Sequence, residues 1–127
     1  MTTLEPAASV GAIHRGVVER LFEAVDRCAW EALPRFFCPE IVYERPGYAP
    51  LVGLAQVLHF YREVRVIASG AHRLHHILAD GERAVCWGEF RGRRKDGTPV
   101  EVRFADAYAF SNGKIRTRCT YFFQPAV

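Results

Sequence analysis

Most of the signatures by which a sequence announces its chemistry are missing from this chain. There is no glycine-rich phosphate loop, no nucleophile elbow and no coenzyme fingerprint. Phosphate-loop nucleotide binding, elbow-type serine hydrolysis and dinucleotide-dependent redox chemistry are left without support. No apolar run approaches the ~18 residues of a membrane span, and Met1 to Gly11 lacks the basic start and apolar core of a signal peptide. Neither export nor membrane anchoring is expected, and a cytoplasmic location is. Charge of one sign is also scarce: 17 Lys+Arg against 14 Asp+Glu leave a net +3, too slight an excess to indicate nucleic acid. The densest basic stretch, Arg91, Arg93, Arg94 and Lys95, reads as a solvated hairpin tip. The four cysteines, Cys28, Cys38, Cys86 and Cys119, show no paired metal spacing and fall inside helical or strand patterns, as reduced thiols do. Internal repeats, low-complexity segments and interdomain linkers are lacking too, so 127 residues suit one domain with one sizeable core.

What is present is a pattern of periods. Residues 1–11, with Pro6, Ser9 and Gly11, read as a flexible tail before a single domain at 12–127. Ile13, Val17, Leu21, Ala24 and Val25 predict an amphipathic helix over about 12–28. A short helix over about 29–37 follows, with Pro34 limiting its regularity, and then a strand at 41–45. A third helix over about 54–67 carries Leu54, Val57, Leu58, Tyr61 and Val64 on one face. Strands at about 72–79, 83–93, 99–110 and 114–123 are punctuated by Asp80-Gly81, Asp96-Gly97 and Asn112-Gly113, each a hairpin signal. The expected architecture is α+β: a curved, cone-shaped, largely antiparallel sheet packed by three N-terminal helices.

One strand dominates the functional reading. In Val100 to Phe110, alternation puts Val102, Phe104, Asp106, Tyr108 and Phe110 in one row, with a lone carboxylate among aromatics. Burying that charge unpaired would be costly, so it must have a counter-charge or a task. The opposite row, with Ala105, Ala107 and Ala109, is expected to point outward together with Phe90, Tyr121 and Phe123. An apolar outer face is seldom left wet, so a homodimer through the convex sheet face is expected. His72, His75 and His76 place at most two side chains on one face, and no metal site is expected. His59 falls off the apolar stripe and reads as solvated, while Tyr43 and Tyr48 fit either a lid or ordinary loop packing.

The segments Glu23-Ala24-Val25-Asp26, Tyr43-Glu44-Arg45-Pro46, Phe60-Tyr61-Arg62 and Ala105-Asp106-Ala107-Tyr108-Ala109-Phe110, followed by Gly113-Lys114-Ile115, carry a resemblance. Over about residues 13–123 the chain resembles the nuclear-transport-factor-2-like superfamily, which includes ketosteroid isomerase, limonene epoxide hydrolase and the SnoaL-like polyketide cyclases. The resemblance implies a cystatin-like, ketosteroid isomerase-like α+β barrel. It matches Asp106 to the isomerase oxyanion-hole acid and to the general acid/base of the cyclases, and Tyr61 to a pocket tyrosine. Two departures speak against steroid isomerisation: Arg45 stands where the isomerase base would be, with Glu44 beside it, and Leu21 replaces the first-helix tyrosine. Against limonene epoxide hydrolase, Glu89 looks like one water-activating carboxylate and Thr120 replaces the other.

On this resemblance Asp106, Glu89 and Arg118 are the catalytic candidates, and Tyr61, Trp87, Tyr108, Phe104, Phe122, Thr120, Arg45 and Tyr43 the substrate-binding ones. Such a cavity would take a flat or polycyclic apolar metabolite, polyketide- or terpenoid-like, with one or two oxygen functions. The implied activity is that of a cofactor-independent cyclase or isomerase of bacterial secondary metabolism, working by general acid/base catalysis. A non-catalytic small-molecule-binding protein and an epoxide hydrolase are the alternatives. An Asp106–Arg118 pair that only fixes strand register is the structural reading of the same residues.

Overall fold

The computed structural model describes residues 9–124. The expected tail at 1–11 lies outside them for residues 1–8, as does the end of the domain at 125–127. The first helix, α1 (Val10–Asp26), starts earlier than its apolar stripe suggests, because Ser9 caps it by accepting a 3.0 Å hydrogen bond from the Ala12 N–H. Its buried face is His14, Val17, Val18, Leu21, Phe22, Ala24 and Val25, whereas Ile13 is exposed. A 3-10 helix (Trp30–Arg35) follows, then strands β1 (Phe37–Glu44) and β2 (Leu51–Val52) and a short helix α2 (Leu54–His59). The expected third helix does not run on as one α-helix. It widens into a π turn (Phe60–Val64), closed by the Arg65 N–H donating to the Phe60 carbonyl at 2.8 Å, five residues back.

The meander is β3 (Ile67–Asp80), β4 (Arg83–Arg94), β5 (Pro99–Ser111) and β6 (Lys114–Phe122). The six strands form one sheet in the order β2-β1-β6-β5-β4-β3, with β1 parallel to β6 and every other pair antiparallel. The sheet is therefore mixed and does not close: β2 and β3 remain edges rather than completing a barrel. The Asp-Gly and Asn-Gly turns form as expected, with positive φ at Gly81, Gly97, Asn112 and Gly113.

Burial alternates along β5, with Val100, Val102, Phe104, Asp106, Tyr108 and Phe110 inside. Antiparallel partners share a face, so Cys86 and Thr120, both opposite Asp106, also point inward. Arg118, Thr120 and Phe122 face the interior as expected. On β4 the expected parity is reversed. Its inner row is Ala84, Cys86, Gly88 and Phe90, which leaves Trp87 and Glu89 on the outer face opposite Ala105 and Arg103. Phe90 therefore belongs to the core, as does Ala109, and the outer face is carried by Val85, Trp87, Tyr121 and Phe123.

The parity is set by the unbroken β4–β5 register, which puts Cys86 rather than Trp87 opposite Asp106. A bulge between Leu74 and His76 separates His72, which points inward, from His76, whose ring packs on Trp87 outside. The bulged backbone passes over Gly88, where an added Cβ would meet the Arg73 carbonyl oxygen at 2.1 Å. Glycine is required there by a close approach of backbone. Gly88→Ala is expected to destabilise the protein by about 1–3 kcal/mol, the usual range for overpacking. Urea denaturation checks this, and an unchanged midpoint would contradict the packing described.

Candidate functional site

The interior of the sheet holds a buried polar network in an aromatic setting. Asp106 is 1% exposed and Arg118 5%. Arg118 donates from Nε (3.0 Å) and pairs through Nη2 (2.9 Å) with Asp106 Oδ2. The Tyr108 hydroxyl donates to the same oxygen at 2.7 Å, and the Thr120 hydroxyl to Oδ1 at 2.6 Å. Because the single Thr120 proton goes to Asp106, the 2.9 Å contact between Tyr43 Oη and Thr120 Oγ1 has Tyr43 as donor. Arg45 Nη1 in turn donates to Tyr43 Oη at 2.7 Å. Two relays thus converge on one carboxylate, which accepts from every side. That is the arrangement of an ionised acid fixed in place rather than of a free proton carrier.

The surrounding groups respond to this charge. Burial, then Asp106, pushes the Tyr108 phenol well above 10, and Arg118 is held as a cation, well above the usual guanidinium value, because Asp106 and the tyrosines outweigh its desolvation. Cys86, whose thiol lies 3.8 Å from the Tyr108 hydroxyl, is pushed up to about 12 by burial and then by Asp106, and is inert as a nucleophile. Tyr61 differs from the other buried tyrosines. Burial would raise its phenol, but the guanidiniums of Arg118, Arg45 and Arg65 outweigh that and lower it from 10. Arg118 Nη1 donates to its oxygen at 2.9 Å.

A small cavity, with about 30 Å³ of free interior volume, opens on this network. Arg45, Arg65, Arg118, Asp106, Thr120, Tyr43 and His72 line it, with Phe22, Phe90, Phe104, Phe122 and Val102 as apolar wall. The structure therefore brings Asp106, Arg118, Thr120, Phe104, Phe122, Arg45 and Tyr43 together as expected. Tyr61 and Tyr108 join through hydrogen bonds to Arg118 and Asp106 rather than as cavity lining. Glu89 and Trp87 do not join: both sit on the outer face, where Glu89 pairs in register with Arg103. An acid pair of Asp106 with Glu89 is excluded by that parity.

Sequence reasoning missed the partner of His72. Asp26, the last residue of α1, holds the His72 ring nitrogen Nδ1 at 2.5 Å through Oδ1 and accepts the His72 backbone N–H at 2.9 Å through Oδ2. The imidazole sits among Phe22, Phe90 and Phe104, with ring centroids 4.7, 4.6 and 5.5 Å away. Burial lowers its pKa from 6.5 more than Asp26 raises it, so the ring is neutral at neutral pH. With Nδ1–H directed at Asp26, the nitrogen left towards the cavity is an unprotonated Nε2. The only signal in sequence was the Asp at the end of Glu23-Ala24-Val25-Asp26; its pairing with a residue 46 positions on needs the docked helix. Among the described residues no group of three or more His, Cys, Asp or Glu side chains is placed to hold a metal ion.

The SnoaL-like domain family matches the chain over residues 18–118. Among solved structures, an epoxide hydrolase of the limonene epoxide hydrolase-like type from Mycobacterium tuberculosis is similar at 16% identity, covering 91% of this chain and 82% of its own, with a TM-score of 0.81. An NTF2-like protein of unknown function from Burkholderia pseudomallei K96243 is 22% identical over 87% of this chain and 90% of its own, with a TM-score of 0.80. A candidate SnoaL-like polyketide cyclase from Jannaschia sp. CCS1 is 11% identical over 94% and 92%, with a TM-score of 0.81. At these identities the likeness is one of fold. A comparison with curated proteins gives no match.

Two measurements follow from the electrostatics. Asp106→Ala leaves Arg118 buried without its counter-charge and is expected to destabilise the protein by about 3–5 kcal/mol, whereas replacing both residues by apolar ones recovers much of the loss. Equal destabilisation by single and double variants in denaturant titrations would contradict this. The lowered His72 pKa means that the unfolded chain binds that proton more tightly, so stability declines as pH falls below 6.5. His72→Gln should flatten the decline in melting temperature through that window; an unchanged slope would refute the assignment.

Proposed function

Given that the chain belongs to the SnoaL-like domain family, we propose that it is a cofactor-independent enzyme that moves a proton on a small, partly apolar metabolite, as an isomerase or cyclase does. The observation that carries this reading is the His72–Asp26 pair, which leaves a neutral imidazole facing the same cavity as Arg118 and Arg45. In this reading His72 Nε2 takes a proton from a carbon next to a carbonyl, and Asp26 stabilises the imidazolium that forms. The guanidinium wall of the cavity stabilises the enolate oxygen. The proton returns at another carbon, completing an isomerisation, or the enolate attacks a second carbonyl of the same molecule, completing a ring closure.

Asp106 then acts as the anchor of the arginine wall instead of as the base, because each of its oxygens already accepts hydrogen bonds from Arg118, Tyr108 or Thr120. With about 30 Å³ of free interior volume, far below the usual range for ligand cavities, the site favours a small skeleton over a polycyclic one. Epoxide opening is the weaker reading, since of the carboxylate pair it calls for one member, Glu89, lies on the outer face and the other is replaced by Thr120.

Proton abstraction is directly visible in heavy water. Across a panel of β-keto esters and 1,3-diketones, NMR should show the wild-type protein accelerating deuterium uptake at the acidic carbon. His72→Gln should lower that rate about 100-fold or more, the usual worth of a positioned base, while the melting temperature at neutral pH holds. Full exchange activity in His72→Gln would sink the assignment.

A further inference from the structure

Five polar or charged residues are buried in the described structure: His14, Arg65, Asp106, Arg118 and Thr120. Four of them have hydrogen-bond partners. His14 meets the Gly81 carbonyl oxygen, and Asp106, Arg118 and Thr120 satisfy one another. Arg65 is the exception. It is 9% exposed and lines the cavity, yet its guanidinium has no hydrogen bond or ion pair among the described residues. It lies against two aromatic rings, 5.6 Å from the centroid of Tyr61 and 5.8 Å from that of Phe90.

The Arg65 nitrogens are not sealed from solvent, and among the described residues no acceptor meets their five N–H donors. The position is also built rather than incidental. The π turn at Phe60–Val64 ends with the Arg65 N–H bonded to the Phe60 carbonyl, and the chain leaves at once in an extended conformation, φ −55° and ψ 129°, towards β3. Burial, with repulsion from Arg45, outweighs the pull of Tyr61 and lowers the Arg65 pKa below the usual guanidinium value.

The charges at the site point to the same class of ligand. Three guanidiniums, Arg45, Arg65 and Arg118, face the cavity, against one carboxylate in its lining, Asp106, and a second, Asp26, behind His72. We propose that the cavity holds a small monocarboxylate and that Arg65 is the residue that receives its carboxylate group. A planar fork of donors matches a carboxylate with two parallel hydrogen bonds, and the flanking faces of Phe90 and Phe104 suit an unsaturated or aromatic skeleton. This rests on the cavity being the site of the proposed proton transfer and names the chemical class of its substrate.

The test is a binding measurement by calorimetry with benzoate and cinnamate, each against its neutral amide, at millimolar concentration. The wild-type protein should bind each acid at least about tenfold more tightly than its amide, and Arg65→Met should lose about tenfold or more of that affinity. Because Arg65 is buried without an acceptor, Arg65→Met should melt no lower than wild type, so loss of binding is not loss of fold. Arg65→Lys, which keeps the charge but not the fork, should bind the acids more weakly than wild type and more tightly than Arg65→Met. His72→Gln should still bind the acids. If acids bind through Arg65 but no proton exchange is catalysed, the ligand class stands and the base assignment falls. Amides that match acids, Arg65→Met binding like wild type, no acid binding at all, or inorganic phosphate displacing benzoate at equal concentration would each overturn the proposal.

Discussion

The ion pair of Asp106 and Arg118 is the constraint on which the site depends. Both groups are buried, on adjacent strands two residues out of register, and each hydrogen-bonds the other. Such pairs rarely add net stability over an apolar pair of the same shape, but breaking one is severe. What the pair provides here is position. It fixes Arg118 in the cavity wall, and through Arg118 it fixes the Tyr61 hydroxyl. Through Thr120 and Tyr43 it also ties the sheet centre to Arg45 at the end of β1. The strand that carries the carboxylate thus orders polar groups on three other elements.

That anchored wall gives the opposite side of the cavity its meaning. An imidazole among three aromatic rings, pinned by a carboxylate at the end of α1, stays neutral because burial outweighs the pull of Asp26 and because Arg65 and Arg118 add like charge. A neutral base and a cationic wall facing one small space suit chemistry in which negative charge develops on an oxygen as a proton leaves carbon. In the same space Arg65 is the buried cation with no hydrogen bond to the described residues.

Much of this was legible in the sequence. Alternation along Val100 to Phe110 placed Asp106 inward correctly, and the turn dipeptides set the meander, so Arg118, Thr120 and Phe122 followed by register. The errors have local causes. Trp87 and Glu89 look like natural interior partners because they are an aromatic and a carboxylate, whereas the true inner row of β4 includes Gly88, whose lack of a side chain hides its burial. The β3 bulge that makes Gly88 necessary also moves His76 off the face of His72, and nothing in a period-2 pattern announces a bulge. Asp26 and His72 meet only through the docking of α1 on β3. Arg65 looked like the tail of a helix until the π turn redirected it.

The protonation state of His72 tests the central claim most directly. Long-range proton–nitrogen NMR of protein carrying nitrogen-15 histidine, recorded at neutral pH, distinguishes the two ring nitrogens. The account requires His72 to be neutral, with its proton on Nδ1 and a bare Nε2. A doubly protonated ring, or a proton found on Nε2, would contradict it.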